Sequence, residues 1–443
     1  MILDVLQRIE TDTQLPDAAD VVIIGGGIAG VTATLFLAEA GLKVVLCEKG
    51  VIAGEQSSRN WGWVRQMGRD PVELPLTMGS LDIWRGMDKR FGIDTGFRET
   101  GITYVCRTPR EVKEFADWAD LADRIGMASE RLDPAALARK LPAIARDRFK
   151  FGLHTKDDGR AEPWRAVPQM AMAARRLGAT IIENCAVRGV ETSAGHLSEV
   201  VTEKGRIRTE RAILAGGAWS RMFLGNKGVN FPQLKLHGTV ARVEIDGDAG
   251  DMPVGGGDFA FRKRLDGGYT VARRNWNVAQ ITPDSFRLLG TYLPTLMSSW
   301  REIQVRLNGE FLKEAGMPRK WGHDQQTTFE KIRTLDPQPM ERYNRHALKN
   351  LARAFPVFAG ARMTHSWAGL IDATPDAIPA IGPVKEIPGL FLSSGYSGHG
   401  FGSGPGGGQL VSDLVRGVAP TFDPKPFSLE RFTAKGLRPG GAA

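Results

Sequence analysis

Between Val21 and Glu48 the apolar residues of this chain change their period twice. Val21-Val22-Ile23-Ile24 is an unbroken β-branched run, the pattern of a strand buried on both faces. A glycine cluster follows, then a helical apolar pattern that stops near Gly41, then a second strand pattern from Lys43 to Cys47. Strand, turn, helix and strand in that order predict a βαβ unit. Further on, ATIIENCAVRGVE and RIRTERAILAGGAWS read as a pair of strand patterns. Helix-rich patterns fill residues 110 to 145 and 283 to 315. Residues 258 to 276, DFAFRKRLDGGYTVARRNW, predict a hairpin: Phe259 and Phe261 stand on one arm, and Tyr269, Val271 and Arg273 alternate on the other, about a turn at Asp266-Gly267-Gly268. Near the C-terminus, SGYSGHGFGSGPGG (394 to 407) is half glycine and runs into an apolar helical pattern, which predicts a helix from Gly404 to Leu414.

The spacing inside the first unit carries chemistry. Gly25-x-Gly27-x-x-Gly30 opens the helix, with Ile28 and Ala29 at its first turn. Gly25 permits the tight turn, Gly27 lets the backbone approach a pyrophosphate, and Gly30 allows close helix–strand packing. The helix N-terminus presents free N–H groups and a positive dipole end to phosphate. Glu48, 23 residues after Gly25, is placed to accept ribose hydroxyls and disfavours a 2′-phosphate. FAD or NAD fits, NADP does not.

Composition narrows the setting. With 443 residues, 42% of them apolar, the chain is long enough for two or three domain-sized units. The net charge of +8 is spread along the chain without a Lys/Arg run, so an anionic cofactor is the expected user and nucleic acid is not an expected partner. Cys47, Cys106 and Cys185 are far apart with no CxxC pair, which suits a reducing compartment and argues against a disulfide or metal framework. The acidic N-terminus lacks signal-peptide order, and glycines with Glu39 and Lys43 break up the apolar stretch from Val21 to Leu46, so no transmembrane segment is expected. The expected location is cytoplasmic.

The polar stretch GVIAGEQSSRNWGWVRQMGRD after Glu48 is longer than an NAD domain needs and suits a cofactor with a far end to hold. Together VVIIGGGIAG…EK, SSRNWG, ILAGGAWS, WAGLIDATPDAIPAIG and GYSGHGFG resemble the FAD-dependent amino-acid and amine oxidoreductases, a family that includes D-amino-acid oxidase, glycine oxidase, sarcosine oxidase and gamma-glutamylputrescine oxidase. The resemblance covers residues 20 to 420. It implies an α/β fold: a Rossmann-type FAD-binding domain interleaved with an antiparallel-sheet α+β substrate domain. The expected division is an extension over 1–19, FAD-binding pieces at 20–100, 160–235 and 355–425, substrate pieces at 101–159 and 236–354, and a tail at 426–443. Beyond the glycine turn and Glu48, the resemblance implies FAD contacts at Lys49, Ser57, Ser58, Arg59, Asn60, Trp61 and Gly62. It also implies contacts at Val187, Gly216, Gly217, Trp219, Gly369, Gly398, His399, Gly400, Phe401 and Gly402.

In these relatives GHGF lies beside the flavin ring at the start of the last helix of the FAD domain, whose dipole stabilises the reduced ring. The reaction expected is hydride transfer from the C–H beside an amine nitrogen to the flavin, giving an imine that hydrolyses. It needs the C–H about 3–3.5 Å from the ring and a neutral nitrogen. The carboxylate-gripping arginine that follows WxGL in part of the family is replaced here by Ile371. Gly369 stands where sarcosine oxidases attach flavin through cysteine, so the FAD is expected to be non-covalent, and Gly402 replaces their lysine. Ile371 favours a carboxylate-free amine or modified amino acid, as in gamma-glutamylputrescine oxidase. His399, Arg65, Arg273 and Tyr269 are nominated for the substrate side, with Arg69 and Arg274 as further carboxylate anchors and Trp61, Trp63 and Trp276 as an aromatic wall. Oxygen or a quinone is the expected electron acceptor. Two alternatives use the same fold: a 2-hydroxy-acid dehydrogenase with His399 or His237 as base, and an electron-transfer or RNA-modifying subunit docked through the N-terminal extension.

Overall fold

In the computed structural model, which describes residues 4–274, 277–299 and 303–433, strand Val21–Ile24 lies inside a six-stranded sheet between Val44–Cys47 and Ala212–Leu214. Thr180–Ile182 forms one edge; Leu390–Ser394 and then Ala380–Pro383 complete the other side. Every pairing is parallel except that of the last two strands. Helix Ile28–Glu39 is buried from Ile28 to Ala38. It has no polar face because it is covered on all sides, by the sheet and by helices Pro163–Arg176 and Gly400–Arg416.

A second sheet of ten strands stands against the first. Its long strand, Leu234–Glu244, pairs with Tyr269–Ala272 and Asn277–Gln280 along one side. The expected hairpin forms, with Ala260–Lys263 antiparallel to Tyr269–Ala272. Gly267 (φ 89°) and Gly268 (φ 71°) supply the left-handed turn that side chains resist.

Four features differ from the sequence expectation. Strand Arg362–Ala373 pairs with Leu234–Glu244 from Leu234↔Ala373 to Glu244↔Arg362, so this part of the 355–425 piece belongs to the second sheet. Within 236–354, Phe329 and Leu335 pack with Trp219, Phe223 and Val187 in the core beneath the first sheet. The N-terminal extension is no free arm. Leu6 is buried, and Asp12 pairs with both backbone groups of Ile181, covering the sheet edge. Finally, the last helix begins at Gly400, four residues earlier than its apolar pattern suggests, and runs to Arg416. A Cβ on Gly404 would lie 2.9 Å from Ile28, on Gly407 2.1 Å from the Tyr396 hydroxyl, and on Gly408 2.2 Å from Thr32 Oγ1. Glycine costs a helix about 1 kcal/mol per residue. It is tolerated here because this helix lies at backbone distance from helix Ile28–Glu39. The apolar stretch from Val21 to Leu46 is strand and covered helix; among the described residues no helix is long and apolar enough to cross a membrane.

Candidate active site

The glycine turn and the strand ends around it enclose an elongated cavity. Gly25, Gly27 and Glu48 line it on one side and Gly216, Gly217 and Trp219 on the other. Lys49, Ser57 and Val187 contribute further along. Gly25 adopts φ 113°, and a Cβ there would meet the Ala215 carbonyl at 2.5 Å; a Cβ on Gly30 would meet the Gly25 carbonyl at 2.0 Å. The turn and the helix–strand contact therefore both require glycine. Gly27, the N-cap of helix Ile28–Glu39, has no side chain, the Ile28 N–H donates to Ser57 Oγ at 2.9 Å, and no acid stands in the first turn to compete with an anion at the positive helix end. Glu48 is shaped for a hydroxylated partner: its oxygens take the Gly26 and Gly50 N–H groups, each at 2.7 Å, and keep lone pairs over. Burial raises its pKa, while Lys49 and these two bonds oppose the rise. Lys49 reaches Glu55 at 2.7 Å and lies 4.7 Å from the Trp219 ring centre. Glycine cradle, open helix end and ribose-side carboxylate all fit FAD.

A narrower cavity continues from Gly27, Ile28, Ala29 and Ser57 to Asn60, Gly398, Gly400 and Phe401. It joins the turn of the first helix to the start of the last. Helix Gly400–Arg416, like the first, has no side-chain cap and no acid in its first turn, so its positive end is free to face a ring that gains negative charge.

Beyond it, where the two sheets meet, a third cavity is walled by Trp61, Trp63, Val240, Tyr343, Ile371 and Phe401, with Gly369 and Gly398 at its base. Arg65, Arg69 and Arg273 border it, and His399 stands at one end. Arg65 donates to the Met67 carbonyl and lies 5.6 Å from the Tyr104 ring centre. Burial brings the Arg273 pKa down to about 10, with Asp258 and Tyr343 opposing. Arg69 is brought down to about 9 by burial and by the charge of Arg65. Its Nε and Nη1 have no hydrogen-bond partner among the described residues.

Behind Arg69 lies Glu73, fully buried, with Oε2 3.4 Å from His399 Nδ1. Burial would raise the Glu73 carboxyl, but His399 and the two arginines outweigh it and hold it below the usual range. Burial and Arg69 push His399 down to about 4 against the pull of Glu73. Near neutral pH the cluster therefore holds a cationic Arg69, an ionised Glu73 and a neutral imidazole.

Several nominated residues lie elsewhere. Tyr269 is buried behind the second sheet against Phe261 and Phe358; its hydroxyl donates to Asp248 at 2.5 Å and accepts the Ala249 N–H at 2.9 Å. Tyr269 and Arg273 share a parity that would put them on one face of a continuous strand; the strand ends at Ala272, and only Arg273, beyond that end, borders the cavity. Arg274 stacks on Tyr104 at 4.4 Å, and the His237 ring pairs with Gln280 at 3.2 Å; neither borders the cavity. Trp276 lies outside the described residues. Ser58 bonds the Glu55 carbonyl and borders none of the three cavities. Gly62 (φ 79°) serves a backbone crossing against Ala161 and Arg262. The Gly402 carbonyl accepts from Ser80 and Trp84, at 2.7 and 3.0 Å. Arg59 borders the third cavity, but its guanidinium is committed to the Gly54 and Ala368 carbonyls and to Asp336. Conversely, Phe329 lines the dinucleotide cavity without any local sequence signal, and Asp372, which lies within WAGLIDATPDAIPAIG, lines it as well. Glu73 carried no motif.

The family model described as FAD dependent oxidoreductase matches residues 20–414. The chain belongs to this family. Among solved structures it is similar to the L-amino acid deaminase from Proteus myxofaciens, in complex with anthranilate, at 32% identity and TM-score 0.92, covering 96% of each chain. The L-amino acid deaminase from Proteus vulgaris gives 33% identity and TM-score 0.91, covering 96% of this chain and 100% of that one. Among curated proteins, 4-methylaminobutanoate oxidase (formaldehyde-forming) of Paenarthrobacter nicotinovorans is 27% identical over 95% of this chain. The chain spans 46% of that protein's length and 42% of mouse sarcosine dehydrogenase (Mus musculus).

Proposed function

We propose that this oxidoreductase dehydrogenates an α-amino acid with an apolar side chain, releasing an imine that water converts to the 2-oxo acid and ammonia. The observation that carries the reading is the convergence of Arg65, Arg69 and Arg273 on a cavity whose other walls include Trp61, Trp63, Val240, Tyr343, Ile371 and Phe401 beside polar groups such as Gln56, Asn60 and Asn277. A carboxylate satisfies such guanidinium groups through charge-assisted, bidentate bonds, whereas a carboxylate-free amine would bring a further positive charge to three cations. This weighs against the simple amine that Ile371 suggests, and in favour of a substrate whose carboxylate is held from the hairpin side. The names of the two deaminases at 32% and 33% identity point the same way.

FAD, held non-covalently because Gly369 offers no side chain for attachment, supplies the hydride acceptor. The chain supplies position. Arg273, with Arg65, grips the carboxylate, and Trp61, Trp63 and Phe401 enclose the side chain and exclude water. His399, neutral, with Nδ1 facing Glu73 and Nε2 without a hydrogen-bond partner among the described residues, accepts a hydrogen bond from the amino group, which must be neutral for the C–H to transfer. Oxygen or a quinone then takes up the electrons.

The test is anaerobic titration of the holoprotein with both enantiomers of apolar amino acids, N-methylglycine, a diamine and a 2-hydroxy acid. Loss of the long-wavelength flavin band with an apolar amino acid alone is expected. Bleaching by the diamine alone would refute the carboxylate anchor, and bleaching by the hydroxy acid alone would refute C–N oxidation.

A further inference from the structure

One buried carboxyl plays no part in the reaction outlined above. Asp372 lies near the end of strand Arg362–Ala373 and is 8% exposed. It borders two cavities at once: the dinucleotide cavity with Gly25, Glu48 and Gly217, and the narrower one with Gly27, Ser57 and Tyr396. The narrower cavity runs from the phosphate-binding turn to the start of helix Gly400–Arg416. It therefore takes the pyrophosphate–ribityl stretch of FAD, and Asp372 stands at the junction. Its Oδ2 accepts the Gly395 N–H at 2.8 Å and lies 3.5 Å from Ser394 Oγ; its Oδ1 makes neither bond.

No cation is paired with this carboxyl among the described residues, although charged groups stand around it. Lys235, its register partner on strand Leu234–Glu244, turns to Glu314 at 2.8 Å and to the Trp219 ring. Arg59 is tied to Asp336, and Asp376 to Arg431. On helix Leu289–Ser299, Tyr292 donates to the neighbouring Ala373 carbonyl at 2.5 Å. The Tyr396 and Ser393 hydroxyls pair at 2.8 Å, and His399 faces Glu73. Across the dinucleotide cavity, Glu48 is held by two backbone amides and Lys49 by Glu55. An anionic ligand at the junction thus meets an Asp372 that has backbone and hydroxyl donors but no counter-ion.

We propose that Asp372 is a direct FAD ligand at the pyrophosphate–ribityl junction, and that its protonation sets how firmly the cofactor is held. When neutral it donates its O–H to a phosphate or ribityl oxygen. When ionised it places a negative charge beside the pyrophosphate. Burial raises its pKa to about 6, against the pull of the Gly395 and Tyr396 backbone amides and the Ser394 hydroxyl. FAD stabilises the protonated form, so affinity falls as pH rises through that value, by up to about tenfold per pH unit when one proton is linked. Glu48, also buried, is the other carboxyl able to contribute a slope, and a substitution at Asp372 separates the two.

The experiment dilutes the holoprotein at a series of pH values from 5.5 to 8 and follows FAD release by recovery of tryptophan and flavin fluorescence. It needs no substrate, so its outcome is independent of the amino-acid reading. The wild-type dissociation constant should rise at least about tenfold across the series. Asp372→Asn, which carries a permanent donor and still accepts from Gly395, should give a flat profile and bind more tightly than wild type at pH 8. A second readout uses the wild-type chain alone: calorimetry of FAD rebinding near pH 7 in buffers of different ionisation enthalpy should report net proton uptake. A pH-independent wild-type constant, an Asn variant with the wild-type slope, or rebinding without proton uptake would each overturn the proposal.

Discussion

Alanine at Gly408 and at Gly86 is the same substitution in two helices, with opposite expected signs. At Gly408, within helix Gly400–Arg416, an added Cβ would lie 2.2 Å from Thr32 Oγ1, 2.8 Å from Thr32 Cβ and 2.9 Å from Ala33 N. The backbone nitrogen cannot yield unless helix Ile28–Glu39 moves. Thr32 is fully buried, its hydroxyl donating to the Ile28 carbonyl at 2.7 Å. Overpacking of this kind costs about 1–3 kcal/mol, and a displaced buried hydroxyl adds about 1 kcal/mol. The helix gain of alanine over glycine returns about 1 kcal/mol. The net loss expected for Gly408→Ala is about 1–3 kcal/mol. Gly86 lies exposed inside helix Leu74–Phe91, with no atom within 4 Å of a built Cβ. There only the helix term acts, and Gly86→Ala should stabilise by about 0.5–1 kcal/mol. Urea unfolding of both variants at saturating FAD measures the two values. Because the N-terminal ends of both helices border the cavities proposed for FAD, Gly408→Ala should also weaken FAD retention, while Gly86→Ala leaves it unchanged. A Gly408→Ala protein as stable as wild type, beside a stabilised Gly86→Ala, would refute the account of the glycine run as a packing requirement.

Arg273→Met should raise the KM for an amino acid by about 10- to 100-fold, the loss of about 1.5–3 kcal/mol from a charge-assisted bond, at unchanged FAD content; steady-state kinetics with flavin absorbance checks both halves. Tyr269→Phe should leave the rate of flavin reduction intact and cost about 1 kcal/mol in urea unfolding. The Tyr269 hydroxyl and Lys263 hold the Asp248 pKa down at about 2. This depressed folded value means that their contribution is present above the ordinary carboxylate pKa and disappears as pH falls from about 4 towards 2. The gap between wild type and variant should close over that window, and a slowed reduction would restore a catalytic role for Tyr269. Glu162→Gln breaks a fully buried pair, with Arg262 Nη1 2.6 Å from Glu162 Oε1. A loss of about 3–5 kcal/mol is expected in thermal or urea unfolding. Arg262 Nε also holds the Trp61 carbonyl at 2.7 Å, so weaker substrate binding should accompany it.

The sequence by itself determined whatever is decided within a few residues. A β-branched run, glycines at set intervals and an acid a fixed distance on specify strand, turn, helix and ribose partner, because those requirements are steric and local to one βαβ unit. The hairpin about Asp266-Gly267-Gly268 is legible for the same reason, since only glycine relieves the left-handed turn. Tertiary structure alone decided the rest. Nothing local distinguishes Arg273, bordering the cavity, from Arg274, stacked on Tyr104; which way each turns depends on how the two sheets meet. Gly400 and Gly402 read as lying before the helix because propensity is local, whereas what Gly404 and Gly408 accommodate, Ile28 and Thr32, lies hundreds of residues earlier. Glu73 carries no motif, and the motif that contains Asp372 does not fix that residue's surroundings. Their charge states follow from burial and from neighbours on other segments, and both arise only when the chain has closed around them.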